Sequence, residues 1–451
     1  MEECEIKAFD KDHRRVIRHN LLKYEQAFEK GITQFSNLPL AKSRVSAIRG
    51  KAIENLEKYL GEFESNFLKN GGKVVWAKDS ADAIKEILNI VSRCKGKLVV
   101  KSKSMATEEV NINYHLEASG NEVVETDLGE FIVHIAKEKP YHITAPAMHL
   151  SREQIVQRLG KYYSIKPDST AEEITTFVRQ LLRTKFLDAG CGITGANFLI
   201  ADTGSIALTE NEGNGMLTMS MPRVHIVLAG IDKIIPTVND LELLWPMLST
   251  HATGQRISVY NSIVSGPRQE GEADGPDEMI VILLENNRSE VIKRPAQRRA
   301  MTCIRCGACM NVCPVFRNIG GHTYSTVYGG PIGSVINPFL HSPEKFMHLS
   351  YTSSLCGRCT EICPALVPLH KLLLENRRTF VDEGFAPYRE KKVMNQYRKY
   401  MLKRKRLDRF GARIKNFLMK RFFRSWGERR ELPRFAARSF SKQWKEMNFI
   451  K

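Results

Sequence analysis

Seven of the ten cysteines in this chain fall within 61 residues, and their spacing constrains the fold more than any other feature. The first run, "CIRCGACMNVCPVF", contains Cys303, Cys306, Cys309 and Cys313, with Pro314 directly after. This is the C-x2-C-x2-C-x3-C-P spacing of bacterial ferredoxins, in which three close thiolates hold one cluster and the fourth reaches a neighbouring one. Gly307 suits the tight turn between thiolates, where backbone N–H groups aim at sulfur, and Pro314 ends the ligand loop. A second run, "SSLCGRCTEICPAL", carries only Cys356, Cys359 and Cys363, followed by Pro364. Zinc ribbons also use C-x2-C pairs, but zinc takes four ligands from two pairs. That leaves the third cysteine and the Cys-Pro ending without a role.

Aligned from its end, the second run lacks only its first cysteine, and Ser353 stands in that place. Exchange of the fourth ligand between runs predicts Cys303, Cys306, Cys309 and Cys363 around one 4Fe–4S cluster. Cys313, Cys356 and Cys359 then hold a second, three-thiolate 4Fe–4S cluster. Its open corner is expected to take water or a partner-supplied group and not Ser353, because a serine hydroxyl is far less acidic than a thiol. Cys4 in a mobile terminus, Cys94 at a helix end and Cys191 between glycines read as ordinary thiols.

A chain of 451 residues has room for two or three domains. Its apolar runs, such as "MIVILL" at 279–284, fall far short of the roughly 18–20 residues a membrane span needs. The start, "MEECEIKAFDKDHRR", has no apolar signal core, so the expected location is the cytoplasm. Clustered thiols in a reducing compartment point to metal, not disulfides. The net charge of +18 is concentrated at one end: from Lys371 onward, 25 Lys+Arg face 8 Asp+Glu, a local charge of +17.

Periodicity predicts helices over residues 1–70, ending at Asn70-Gly71-Gly72. Strands at 73–77, 97–102 and 122–127 then alternate with helices at 80–94, 107–120 and 129–138. A helix at 169–187 precedes two strands about an Asp-Thr-Gly turn (197–210), a buried strand at 223–231 and a last strand at 278–285. Such alternation predicts an α/β domain with a largely parallel sheet. The polar, basic stretch 287–300 reads as a linker.

Long stretches now resemble a known family, the lactate utilization protein B group of bacterial iron–sulfur proteins. They include "KSKSMATEEVNINYHLEASGNEVVETDLGEFIVHIA" (101–136), "GITGANFLIADTGSIALTENEGN" (192–214), "VHIVLAGIDKIIPT" (224–237) and both cysteine runs. The resemblance implies an α/β LUD domain, similar to the sugar-phosphate isomerase and CoA-transferase fold, followed by a helical ferredoxin-like domain and a basic helical tail. Expected boundaries are 1–70 for an N-terminal helical segment, 71–290 for the LUD domain, 291–372 for the cluster domain and 373–451 for the tail. The resemblance also implies two 4Fe–4S clusters, two partner proteins and a role in oxidising L-lactate to pyruvate. The three-cysteine second run looks like the family's own pattern.

No convincing catalytic set stands outside the cysteines. The glycine-rich turns 190–197, 201–205 and 211–215 suit tight strand connections or an anion cradle. His134, His142, His149 and His225 read as structural, since no second histidine or carboxylate stands at metal spacing beside them. Lys101 and Lys103 are candidates for an organic-acid carboxylate, with a solvated surface as the plainer alternative. In the tail, Leu407, Phe410, Ile414 and Phe417 share one helical face amid Lys and Arg, a pattern for an anionic membrane surface or an acidic partner. Nucleic acid is the weaker reading, because no recognised binding motif is present. The expected function is an electron-transfer subunit of a lactate-oxidising complex, not catalytic alone, at the inner membrane face. The alternative is an autonomous LUD-type enzyme with sensing or structural clusters.

Overall fold

Among the described residues, ten strands form where apolar runs alternate with amphipathic helices. They are β1 (Lys73–Ala77), β2 (Leu98–Lys101), β3 (Glu122–Glu125), β4 (Cys191–Thr194), β5 (Phe198–Ile200), β6 (Ser205–Glu210), β7 (Val224–Gly230), β8 (Ile234–Ile235), β9 (Tyr260–Val264) and β10 (Glu278–Leu284). The computed structural model describes residues 2–407, 410–422 and 431–448. It divides into two compact units, Met1–Thr379 and Phe380–Lys451.

Six strands pair in the order β1-β10-β7-β4-β2-β3, and every pairing is parallel. A parallel sheet is covered on both faces, so its central strands are near-continuous apolar runs. Met279, Val281 and Leu283 of β10 point to one core with Val227 and Ala229 of β7, packed under Phe63 and Phe67. Ile280, Ile282 and Leu284 point to the other with Ile226 and Leu228, packed on Ile87 and Ile90. The last strand in sequence thus lies inside the sheet, between β1 and β7. A second sheet, β8-β5-β6-β9, contains the expected hairpin, with Phe198 opposite Ala207 and Ile200 opposite Ser205.

Chain connectivity matters for function. From β2 the chain runs outward to β3, whereas from β4 it runs inward to β7. The carboxyl ends of β2 and β4 therefore open a crevice at the point where the winding reverses, the place where open α/β sheets bind ligands.

Two expectations change. The helix over 107–120 is two helices, Met105–Glu109 and Ile112–Ala118, broken at Asn111, whose φ of 52° is a left-handed conformation that asparagine tolerates. The stretch 287–300 is not a loose linker: Arg288–Lys293 is α-helical, Gln297–Thr302 is a 3-10 helix, and Arg288, Val291, Gln297 and Ala300 are buried. Arg288 is anchored by Glu109 at 2.7 Å and Asp232 at 2.8 Å. Paired charge, invisible in a linear reading, lets a basic segment pack inside.

In the second unit the helix expected to carry Leu407, Phe410, Ile414 and Phe417 on one face is interrupted. Helices Tyr388–Met401, Arg404–Leu407 and Ala412–Phe422 are separate, and Phe410 lies off them, whereas Ile414 and Phe417 are exposed on the last. The Leu407 side chain and residues 423–426 lie outside the described residues. Among the described residues no helix is long and apolar enough to cross a membrane.

Candidate iron–sulfur sites

The two cysteine runs fold into matching turns. In the first, Arg305 has φ 59° and Gly307 has φ 77°, and the Arg305 N–H donates to Cys303 Sγ at 3.3 Å. In the second, Leu355 has φ 54° and Gly357 has φ 84°, and the Leu355 N–H donates to Ser353 Oγ at 3.1 Å. Short helices then follow, Ala308–Asn311 and Arg358–Ile362, each leading to a Cys-Pro pair. Ser353 occupies the position of Cys303 in an otherwise repeated backbone. A left-handed Arg or Leu costs about 1–2 kcal/mol, so its use in both turns marks a shape under strong demand.

The sulfurs sort into two groups. Cys303, Cys306, Cys309 and Cys363 line one small cavity with Ile304, Ile332, Val367 and Leu369. Cys363 is 60 residues from Cys303 in sequence, yet it joins the first run. Its Sγ accepts the Val367 N–H at 3.4 Å. Cys313 instead interacts electrostatically with Cys356, and both act on Cys359. Burial, reinforced by the neighbouring sulfurs, pushes the Cys306 and Cys309 thiols well up, Cys363 up to about 12 and Cys359 up to about 11. Bare thiols here hold their protons, and only a thiophilic metal would displace them. An all-sulfur donor set, N–H groups aimed at sulfur and apolar walls fit an iron–sulfur cluster.

The surroundings of the two groups differ. Around the first, Arg49 donates to the carbonyls of Met301 and Thr302 at 3.2 and 3.4 Å, and to those of Asp232 and Ile234. Lys42 Nζ reaches the carbonyls of Glu361 and Ile362 at 2.7 and 3.2 Å. Arg305 pairs with Asp232 at 3.2 Å. Burial alone would raise the Asp232 carboxyl, but Arg305 and Arg288 hold it well below the usual carboxylate range. In the second group Cys359 is buried, Cys313 is half-buried and Cys356 is exposed.

The other sequence candidates separate. Lys101 is fully buried and ion-paired to Glu125 at 2.8 Å and Glu108 at 3.0 Å, so it braces the fold. Lys103 Nζ is buried without a hydrogen-bond partner and lines a different cavity. His225 bonds Thr194 at 2.8 Å, and burial lowers it to about 3. His142 is bonded by Thr144 at 3.1 Å and is likewise lowered to about 3 by burial. His134 pairs with Glu117 at 3.0 Å. His149 does have a carboxylate and a second histidine nearby: it meets Glu138 at 2.8 Å, and the His322 ring centroid lies 4.8 Å away. Arg158 already neutralises Glu138 at 2.6 Å, which favours an ion-pair cluster over a cation site. Cys94 and Cys191 stand thiol to thiol. Cys4 sits on the helix Glu2–Phe9, which packs on Pro314–Ile319 directly after Cys313, in place of the expected loose terminus. Cys4 and Cys313 both lie near Tyr324. The turns 190–197 and 211–215 contribute to the cavity that Lys103 lines. Sequence reasoning passed over Arg305, although an arginine inside a ligand run was a visible signal.

A LUD-type α/β domain followed by a cysteine-lined segment defines the class: residues 60–284 match the LUD domain family and residues 299–367 the 4Fe-4S dicluster domain family. The chain holds iron–sulfur clusters as a member of that class. It is 46% identical to Lactate utilization protein B of Bacillus subtilis over 356 residues, covering 78% of this chain and 73% of that protein. It is 45% identical to the protein of the same name from Bacillus licheniformis over 362 residues, 79% of this chain and 75% of that one. A solved DUF162 family protein from Deinococcus radiodurans is 16% identical, with a TM-score of 0.27, over 51% of this chain and 98% of that one. The chain belongs to the lactate utilization protein B family.

Proposed function

We propose that this chain is the iron–sulfur electron-transfer subunit of a complex that oxidises L-lactate to pyruvate. The observation that carries the proposal is the sorting of seven cysteines into a set of four about one cavity, three of them buried and Cys303 half-buried, and a set of three that opens at Cys356. When bound, two 4Fe–4S clusters supply one-electron transfer. Cys303, Cys306, Cys309 and Cys363 hold the inner site, and Cys313, Cys356 and Cys359 the outer one. The chain's own contribution is positioning and electrostatics. Arg305 and Val367 direct N–H groups at sulfur, Ile304, Ile332 and Leu369 exclude water, and Arg49, Lys42 and Arg305 offset negative charge at the inner site. Exposed Cys356 gives the outer site its access to a partner protein. The protein works in the cytoplasm with two partners, and its basic tail meets the anionic inner face of the membrane.

Titration of the anaerobic protein with L-lactate tests this. Visible absorbance should bleach only when the partner proteins are present. Bleaching by lactate with the isolated chain would support the second reading, an autonomous LUD-type enzyme, which the polar cavity beside Lys103 favours.

A further inference from the structure

A cavity of about 280 Å³ opens at the carboxyl ends of β2, β4 and β7, separate from the sulfur-lined one. Ser102 and Lys103 follow β2, Gly195 to Asn197 follow β4, and Asp232 and Lys233 follow β7. Its place is the crevice where the sheet's winding reverses. One wall is Arg305, which also lines the cavity of the first four cysteines and whose N–H bonds Cys303.

The polar groups around this cavity are unevenly satisfied. Ser102 is 4% exposed and Arg305 is 6% exposed, yet Ser102 Oγ and Arg305 Nη1 are buried without a hydrogen-bond partner. Lys103 Nζ is in the same condition. Buried donors without partners are unfavourable, and two of these carry positive charge. The acidic side is different. Glu210 accepts the N–H groups of Gly215 and Met216 at 2.6 and 2.8 Å, and Glu212 accepts that of Leu128 at 3.0 Å. The lining carboxylates Asp127, Glu210, Glu212 and Asp232 are thus engaged by other groups, Asp232 by Arg305 Nη2 itself, and none of them is a hydrogen-bond partner of Ser102 Oγ, Lys103 Nζ or Arg305 Nη1.

We propose that this cavity binds a small organic carboxylate, held by Ser102, Lys103 and Arg305, and that its occupancy is felt at the neighbouring four-cysteine site through Arg305. A carboxylate suits the cavity better than phosphate because Asp127, Glu210 and Glu212 line it too and repel a second negative charge. The volume, near the lower end of small-molecule pockets, has ample room for a ligand of a few heavy atoms. An anion against Arg305 offsets its charge and makes adding an electron to the adjacent site less favourable. By reciprocity the oxidised protein binds the anion more tightly than the reduced one. A tenfold difference between the two states corresponds to about 59 mV in a one-electron potential.

Binding itself does not depend on the electron-transfer proposal. The choice of lactate and pyruvate as probes does, so acetate and inorganic phosphate serve as independent arms. Calorimetry on the anaerobically purified, cluster-loaded protein should show saturable binding of at least one carboxylate. Lys103→Gln should weaken it roughly tenfold, as loss of a charged hydrogen bond does, and Lys103→Arg should largely restore it, with iron content unchanged in both. Saturating ligand should move the midpoint potential of the first site downward. Acetate binding without lactate or pyruvate would support the site and count against its link to lactate. Binding of phosphate alone, binding of no carboxylate, or full affinity in Lys103→Gln would overturn the site. Saturable binding with an unmoved potential would overturn the coupling through Arg305.

Discussion

The two cysteine turns share a backbone and differ in their surroundings. Arg305 and Leu355 take the same left-handed conformation, Gly307 and Gly357 the same tight turn, and Cys303 and Ser353 each accept the N–H two residues on. Yet the first set has three of its four thiols buried and Arg49, Lys42 and Arg305 beside it, whereas the second ends at an exposed Cys356. On the ligand assignment proposed above, one turn design serves two purposes: a protected site within the fold, and an open site at the surface from which iron should be more easily lost.

The largest effect should come from Cys363→Ala. Removing the ligand shared across runs should abolish the first site and lower iron from about eight to about four per chain or fewer. Iron analysis and visible spectra check this. Unchanged spectra would show that Cys363 is not a ligand. Cys94→Ser and Cys191→Ser should leave iron intact.

Arg288→Ala comes next, and it should affect the two sites unequally. It leaves Glu109 buried without its cation and Asp232 with Arg305 alone, and breaking such a buried pair typically costs about 3–5 kcal/mol. Because Asp232 also anchors Arg305, the first site should lose iron faster than the second under chelator challenge. Equal loss from both would break the asymmetry.

Metal-free protein should reveal the same contrast through pH. Thiols whose folded pKa is raised bind protons more tightly when folded, so their contribution is present below the ordinary value of 9.0 and fades as pH rises toward about 12 for Cys363. Unfolding midpoints of the metal-free chain should therefore fall above pH 9.0. Replacing Cys363 by Ser should flatten that fall more than replacing Cys359, whose thiol reaches only about 11.

The gathering of Cys303, Cys306, Cys309 and Cys363 about one cavity was legible in the sequence, because the spacing of the two runs encodes which thiols a pair of tight turns can bring together. The sheet was legible for a similar reason: β7 is apolar but for His225 and β10 but for Glu278 at its start, which leaves little choice but burial on both faces. Three-dimensional charge pairing was not legible. Lys101 and Lys103 are two residues apart and looked alike, yet only Lys101 meets Glu108 and Glu125. The basic stretch at 287–300 looked solvated because Glu109 and Asp232 lie far from it in sequence. The packing of the Cys4 helix beside Cys313 likewise left no mark in composition.

The smallest effect concerns the tail. A chain ending at Lys399 should sediment less with anionic vesicles than the full chain, and the difference should shrink as salt shortens the Debye length to about 10 Å at 0.1 M. Equal sedimentation would assign the tail a purely structural role.

The central claim is that the second site has three thiolates and an open corner, with Ser353 capping the turn without binding iron. EPR after mild oxidation of anaerobically purified protein addresses it directly. Wild type should yield a 3Fe–4S signal, Ser353→Ala should yield the same signal with a stability loss of about 1 kcal/mol for the missing turn hydrogen bond, and Ser353→Cys should suppress it. Cys4→Ser, measured alongside, should match wild type in iron and signal. Loss of the second site in Ser353→Ala, or in Cys4→Ser, would identify that side chain as the fourth ligand and contradict the open corner.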